Sequence, residues 1–167
     1  MHWKPVCVIL LCALFSVPAF AQQPAASETA NATCTFEDGQ TARVSYSAVT
    51  EVDKRDLPKD KLWTPGNLPM TLFLDTAVSM GGTAIPAGAY SMYIVPSKGS
   101  WLLVVNKDVT PGHQYDVRQD LLRGSMETGQ LPEVQRLQVA FSRSLPKRCS
   151  LRIYYGKVGT WAEFDEK

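Results

Sequence analysis

Ala84-Ile-Pro-Ala-Gly-Ala-Tyr-Ser-Met-Tyr-Ile-Val-Pro96 and, after Ser97-Lys-Gly-Ser100, Trp101-Leu-Leu-Val-Val-Asn-Lys-Asp108 read as two β-runs joined by a short turn. The first is entered through a Pro86-Ala-Gly88 corner. Tyr90, Met92 and Ile94 fall on one face and Ser91, Tyr93 and Val95 on the other, the period of two that marks a strand. Trp101 alternates with Leu103 and Val105, which predicts a core tryptophan. Truncating such a buried aromatic typically costs about 3–5 kcal/mol. The same pattern recurs on both sides of this stretch. Strands are expected over 33–36, 41–49, 70–75, 77–80, 121–126, 134–142, 149–155 and 160–164. Glu37-Asp-Gly-Gln40 carries the Asp-Gly hairpin signal. Gly81-Gly82, Pro96, Pro111-Gly112, Gly129, Pro132, Pro146 and Gly156 separate the remaining runs. No run of twelve residues shows a 3.6 period. The prediction is an all-β chain with a single-domain antiparallel β-sandwich or jelly roll over residues 34–167. Trp101, Leu103, Val105, Val139, Phe141 and Ile153 are expected in its core.

Residues 1–21 read as a signal peptide. Lys4 precedes an apolar run from Val6 to Phe20, and Ala19-Phe-Ala21 is a small-x-small cleavage site. The run is shorter than the roughly 20 residues that span a bilayer. Residues 22–33 are small and polar and read as a flexible leader. Lys4 is the one charged side chain before residue 22, so the rest of the chain keeps 16 of its 17 basic residues against 16 acidic ones. A neutral chain without a basic run has no electrostatic footprint for a phosphate backbone, so nucleic acid is not an expected partner. No second apolar stretch approaches spanning length, so no membrane span is expected after signal cleavage. The strands are too short and too polar outside for a transmembrane barrel. The expected location is periplasmic or secreted.

Cys7 and Cys12 would leave with the signal. Cys34 and Cys149 remain, and in an oxidising compartment an even pair reads as a disulfide closing a long loop. Free buried thiols are the alternative. Two cysteines and one histidine make an incomplete metal-ligand set, so no metal and no other cofactor are expected.

The candidate functional residues gather in one loop: Asn106, Asp108, His113, Tyr115, Asp116, Asp120 and Arg123. His113 is the single histidine after the signal, so any imidazole chemistry runs through it. A hydrolase would use His113 as base with Asp116 or Asp120 as orienter, although no Gly-x-Ser-x-Gly elbow raises a serine. Asp108, Asp116 and Asp120 carry oxygens suited to a hard cation, but their spacing fits no known cation loop. Tyr115 and Trp161 are the aromatic candidates for ligand contact, and a glycan or an envelope protein is the kind of partner they suit. With no assembled nucleophile, base and orienter, the leading expectation is a non-catalytic binding or envelope-associated module. A hydrolase and a structural assembly protein are the alternatives.

The series Trp63…Gly66-Asn67, Ile85-Pro-Ala-Gly88-x-Tyr90-Ser-x-Tyr93-x-x-Pro96, Trp101-x-Leu103-x-x-Asn106-Lys107, Tyr115-Asp116-x-x-x-Asp120-x-x-Arg123 and Leu131-Pro132-x-x-Val134-x-x-Leu137 resembles a family of exported bacterial proteins. That family is catalogued as domain of unknown function 2911. Cys34-Thr-Phe-Glu-Asp-Gly39 and Cys149-Ser-Leu-Arg-Ile153 resemble the subset with two cysteines, which implies that they pair. The resemblance implies β architecture and export, and no activity. The family's Trp-Arg-Thr-Gly-Ala-Asn segment is reduced here to Trp63-Thr-Pro-Gly-Asn67, without the arginine.

Overall fold

The computed structural model describes residues 28–49 and 57–167. The expected signal peptide, the start of the leader and residues 50–56 lie outside the described residues. Among the described residues nine strands form one antiparallel sheet. They are β1 (Thr29–Thr35), β2 (Thr41–Ser47), β3 (Met70–Leu74), β4 (Val78–Met80), β5 (Thr83–Ile85), β6 (Gly88–Val95), β7 (Trp101–Asn106), β8 (Asp120–Leu145) and β9 (Arg148–Glu166). Their order across the sheet is β1-β2-β3-β6-β7-β8-β9-β4-β5. The all-β reading holds.

The two layers expected of a sandwich are two halves of this one sheet, joined through β8. The start of β8 pairs with β7, from Asn106↔Asp120 to Trp101↔Met126. From Glu127 onward it pairs with β9 instead. The sheet curls until its first hairpin returns to β8. Leu137 N–H donates to the Val49 carbonyl at 3.1 Å, and Glu37 N–H donates to that of Pro146 at 3.0 Å. The Cys34–Cys149 disulfide joins β1 to β9 across the same seam, with the Cα atoms 6.2 Å apart.

Both long strands correct the expectation of short ones. Gly129, Pro132 and Gly156 were predicted to end strands, and instead they mark irregularities within them. Proline has no N–H for the ladder, so pairing is lost around Pro132. The register passes from Gln130↔Val158 to Val134↔Gly156 and then to Gln138↔Tyr154, so β8 twice advances four residues against two of β9. Gly156 supplies the positive φ of 59° at this bulged stretch. β1 is a second correction. It begins at Thr29, inside the expected leader, because its backbone pairs with β2 from Thr29↔Ser47 onward and buries Ala32.

β6 has the predicted alternation, with Tyr90, Met92 and Ile94 in the main core. Its other face is not open to solvent. Tyr93 and Val95 pack with Val104 under Leu62, Leu102 and Tyr115. At the entry corner Gly88 adopts φ 150°, and the Tyr90 hydroxyl donates to the Pro86 carbonyl at 2.9 Å. A Cβ at Gly88 would meet that hydroxyl at 3.3 Å, so the corner favours glycine. Within the main core Trp63 packs edge-on against Trp101 at 6.0 Å and Tyr155 at 4.8 Å. Trp101, Leu103, Val105, Val139 and Ile153 are buried as predicted. Phe141 is only half-buried and leans on fully buried Phe164.

Candidate functional site

The loop after β7 is ordered by its own side chains, and Asn106 holds it to the sheet. Asn106 ends β7 and is 1% exposed. Its Nδ2 donates to the Asp116 carbonyl at 2.9 Å and to Asp120 Oδ1 at 2.8 Å. Its Oδ1 accepts the Asp108 N–H at 2.9 Å. One buried amide thus ties both ends of the loop together, an arrangement that a buried polar group needs in order not to destabilise the fold.

Asp120, at the start of β8, collects three donors. Besides Asn106 it accepts the Tyr115 hydroxyl at 2.5 Å and Arg123 Nε at 2.8 Å, both on Oδ2. Arg123 also donates to the Tyr115 oxygen at 2.7 Å. Burial raises the Tyr115 pKa, and its donation to the Asp120 carboxylate adds to the effect. The Arg123 guanidinium is stabilised in its charged form, first by Asp120. Asp116 is engaged elsewhere. It caps the short 3-10 turn Val117–Gln119 through the Arg118 N–H and pairs with the Arg118 side chain at 2.8 Å. Arg118 holds the Asp116 pKa below its ordinary value.

These contacts correct the expected catalytic pairing. The carboxylate beside His113 is neither Asp116 nor Asp120 but Asp108, whose Oδ2 lies 2.9 Å from His113 Nδ1. The turn makes this pairing. Asp108 Oδ1 accepts the Thr110 N–H at 2.9 Å, and His113 N–H donates to the Thr110 carbonyl at 3.2 Å, which curls residues 108–113 back on themselves. The Asp108 pKa falls to about 2, first through the Thr110 backbone N–H and then through His113. The three aspartates therefore face different partners. Among the described residues no group of three or more His, Cys, Asp or Glu side chains is placed to hold a metal ion.

His113, Tyr115, Asn106 and Asp108 border a cleft of about 400 Å³. Its floor and far wall come from residues that the loop reading missed: Thr71 on β3, Ser91 and Tyr93 on β6, and the Asn67–Pro69 segment. Ser91 and Tyr93 stand on the face of β6 turned away from the main core. A polar residue on that face was the signal that could have shown them. The Tyr93 ring meets Tyr115 edge-on at 5.2 Å, and burial raises the pKa of its hydroxyl. Leu68 and Val109, 55% and 45% exposed, stand on the rim. Trp161 lies elsewhere on the sheet. It is half-buried, covers Gly129 and donates its Nε1–H to Glu127 at 2.8 Å, so it is not an open stacking platform. A second hollow of about 620 Å³ beside Trp63 and Tyr155 has no charged lining residue among the described residues.

Comparison with curated proteins and with solved structures gives no match. A family model described as a protein of unknown function, DUF2911, matches residues 27–163. That span takes in the cleft, the loop and both cysteines, and the chain belongs to the DUF2911 family.

Proposed function

We propose that this chain is a non-catalytic binding module whose cleft takes a small, uncharged, hydroxyl-rich ligand of the saccharide class. The observation that carries this reading is the engagement of all three aspartates of the loop that borders the cleft. Asp108 is satisfied by Thr110 and His113, Asp116 by Arg118, and Asp120 by Asn106, Tyr115 and Arg123. A cationic ligand would have to compete with these partners for the same carboxylate oxygens. The lining instead supplies hydroxyls and amides, from Thr71, Tyr93, Asn67 and Gln114. Exposed Leu68 and Val109 on the rim suit the apolar C–H faces of a sugar ring. Export to the periplasm or the medium belongs to the same proposal. The leading 21 residues and the disulfide support it. An N-terminus at Gln22 in protein recovered from its producing cells is expected, and an intact Met1 would contradict it.

Titration of isotope-labelled protein with neutral mono- and disaccharides tests the cleft. Amide shifts are expected at Thr71, Ser91, Tyr93 and along Val109–Tyr115. Shifts confined to other parts of the sheet, or no shifts across the panel, would overturn the reading. A second reading, a hydrolase, is favoured by the 2.9 Å His113–Asp108 contact, the arrangement that orients an imidazole base. Activity on a hydrolase substrate panel that His113→Ala abolishes would select it.

A further inference from the structure

The cleft lies at one end of a line of short polar side chains that crosses five strands. Cross-strand register places Asn31 opposite Ser45, Ser45 opposite Thr71, Thr71 opposite Ser91, and Ser91 opposite Asn106. Directly opposed residues of an antiparallel pair project from the same face. That face is the outer one, because the alternate residues Ala32, Val44, Leu72 and Met92 lie in the core. Exposure along the line increases away from the cleft, from buried Ser91 through half-buried Thr71 and Ser45 to exposed Asn31. Strands lie about 4.8 Å apart, so the line from Asn31 to Asn106 is about 19 Å long.

The line has raised ground on both sides, which makes it a groove. On one side the Arg43 guanidinium lies 4.3 Å over the Phe73 ring, and these two are themselves opposed across β2 and β3. On the other, the turn Pro65–Asn67 sits on Ser47 so closely that a Cβ on Gly66 would come within 2.8 Å of the Ser47 Cβ. The floor carries hydroxyls and amides and no charge, and Thr71, Ser91 and Asn106 carry the same chemistry into the cleft lining.

We propose that the cleft and this groove form one continuous binding surface for an extended neutral oligosaccharide, which lies across β6, β3, β2 and β1 with one end in the cleft. The proposal rests on the saccharide reading of the cleft and goes beyond it by stating length and direction. A groove about 19 Å long is longer than a single sugar ring. Its uncharged floor matches a chain of hydroxyls better than an acidic or basic polymer.

Calorimetry on the full chain with gluco-oligosaccharides and N-acetylglucosamine oligomers of one to six units tests this. In one of the two series, the tetramer is expected to bind at least about tenfold tighter than the monomer, the gain that two added hydrogen bonds of ordinary net strength supply. Ser45→Trp, which blocks the groove outside the cleft, should remove that gain and leave monomer affinity unchanged. Should this variant fold poorly, the parent protein gives the same answer by NMR: Asn31 and Ser45 amides should shift with the tetramer and not with the monomer. Equal affinity for monomer and tetramer would overturn the groove and leave the cleft standing. A length gain that survives Ser45→Trp, or tetramer shifts that bypass Asn31 and Ser45, would also overturn it. Binding by neither series would overturn the cleft reading together with the groove.

Discussion

Cys34 and Cys149 join the first strand to the ninth, which are not hydrogen-bonded neighbours, across a sequence separation of 115 residues. The sheet is continuous from β1 through β8 to β9, so this bond fastens the place where its curl returns on itself. Few backbone hydrogen bonds cross that seam, among them Leu137 to Val49 and Glu37 to Pro146. The crosslink stabilises chiefly by restricting the unfolded chain, and a loop of this length is worth about 4–5 kcal/mol in the chain-entropy model. A Cys34→Ser/Cys149→Ser double variant should lose a large part of that in denaturant unfolding. Both cysteines are buried, at 4% and 0% exposure, so reductant without denaturant should open the bond slowly. Free thiols mapped to Cys34 and Cys149 in non-reduced folded protein, or an unchanged midpoint in the double variant, would refute this account.

Asn106 should matter more to stability than any aspartate of the loop. Its removal strands a backbone N–H, a backbone carbonyl and one carboxylate oxygen, all partly buried, around a buried side chain. Unsatisfied buried groups cost about 1–3 kcal/mol each, and water relieves part of that. Asn106→Ala is expected to destabilise by about 2–3 kcal/mol. Asp116→Asn, by contrast, weakens a pair whose arginine is 85% exposed and should cost clearly less. Chemical denaturation of the two variants side by side checks the order. An Asn106→Ala variant no weaker than Asp116→Asn would show that Asn106 does not hold the loop.

The strands were legible where one face meets the core, because the period of two is a local property. Tyr90, Met92 and Ile94 on β6, and Trp101, Leu103 and Val105 on β7, are buried as their alternation requires. Where the strands end was less legible. A proline or glycine ends a strand or bulges it according to what the neighbouring strand offers, and Pro132 and Gly156 have long partners. The burial of Tyr93 and Val95 was also not legible, since Leu62 and Tyr115 come to cover them from distant loops. The loop cluster could be found because its members are close in sequence. Its pairing could not, since His113 meets Asp108 through a turn built on Thr110. Thr71 reaches the cleft only through the register of β3 with β6, which depends on the whole sheet.

The Asp108 carboxyl should titrate well below the ordinary aspartate range. Its pKa is lowered to about 2 in the folded chain, against about 3.9 in an unfolded one. A depressed acid contributes stability that is fully present above the unfolded value and is lost as pH falls through the folded one. Its share of acid sensitivity therefore belongs between about pH 4 and pH 2. The Thr110 N–H is the larger cause and His113 the next, so the two are separable. Carbon-detected NMR of the side-chain carboxyl should give a midpoint near 2 in the parent protein. In His113→Ala the midpoint should rise only part of the way, because the Thr110 N–H remains in place. A parent midpoint close to an ordinary aspartate would remove the turn as an anchor of the loop. Full recovery of the ordinary value in His113→Ala would mean that the imidazole, not the backbone, holds this carboxylate.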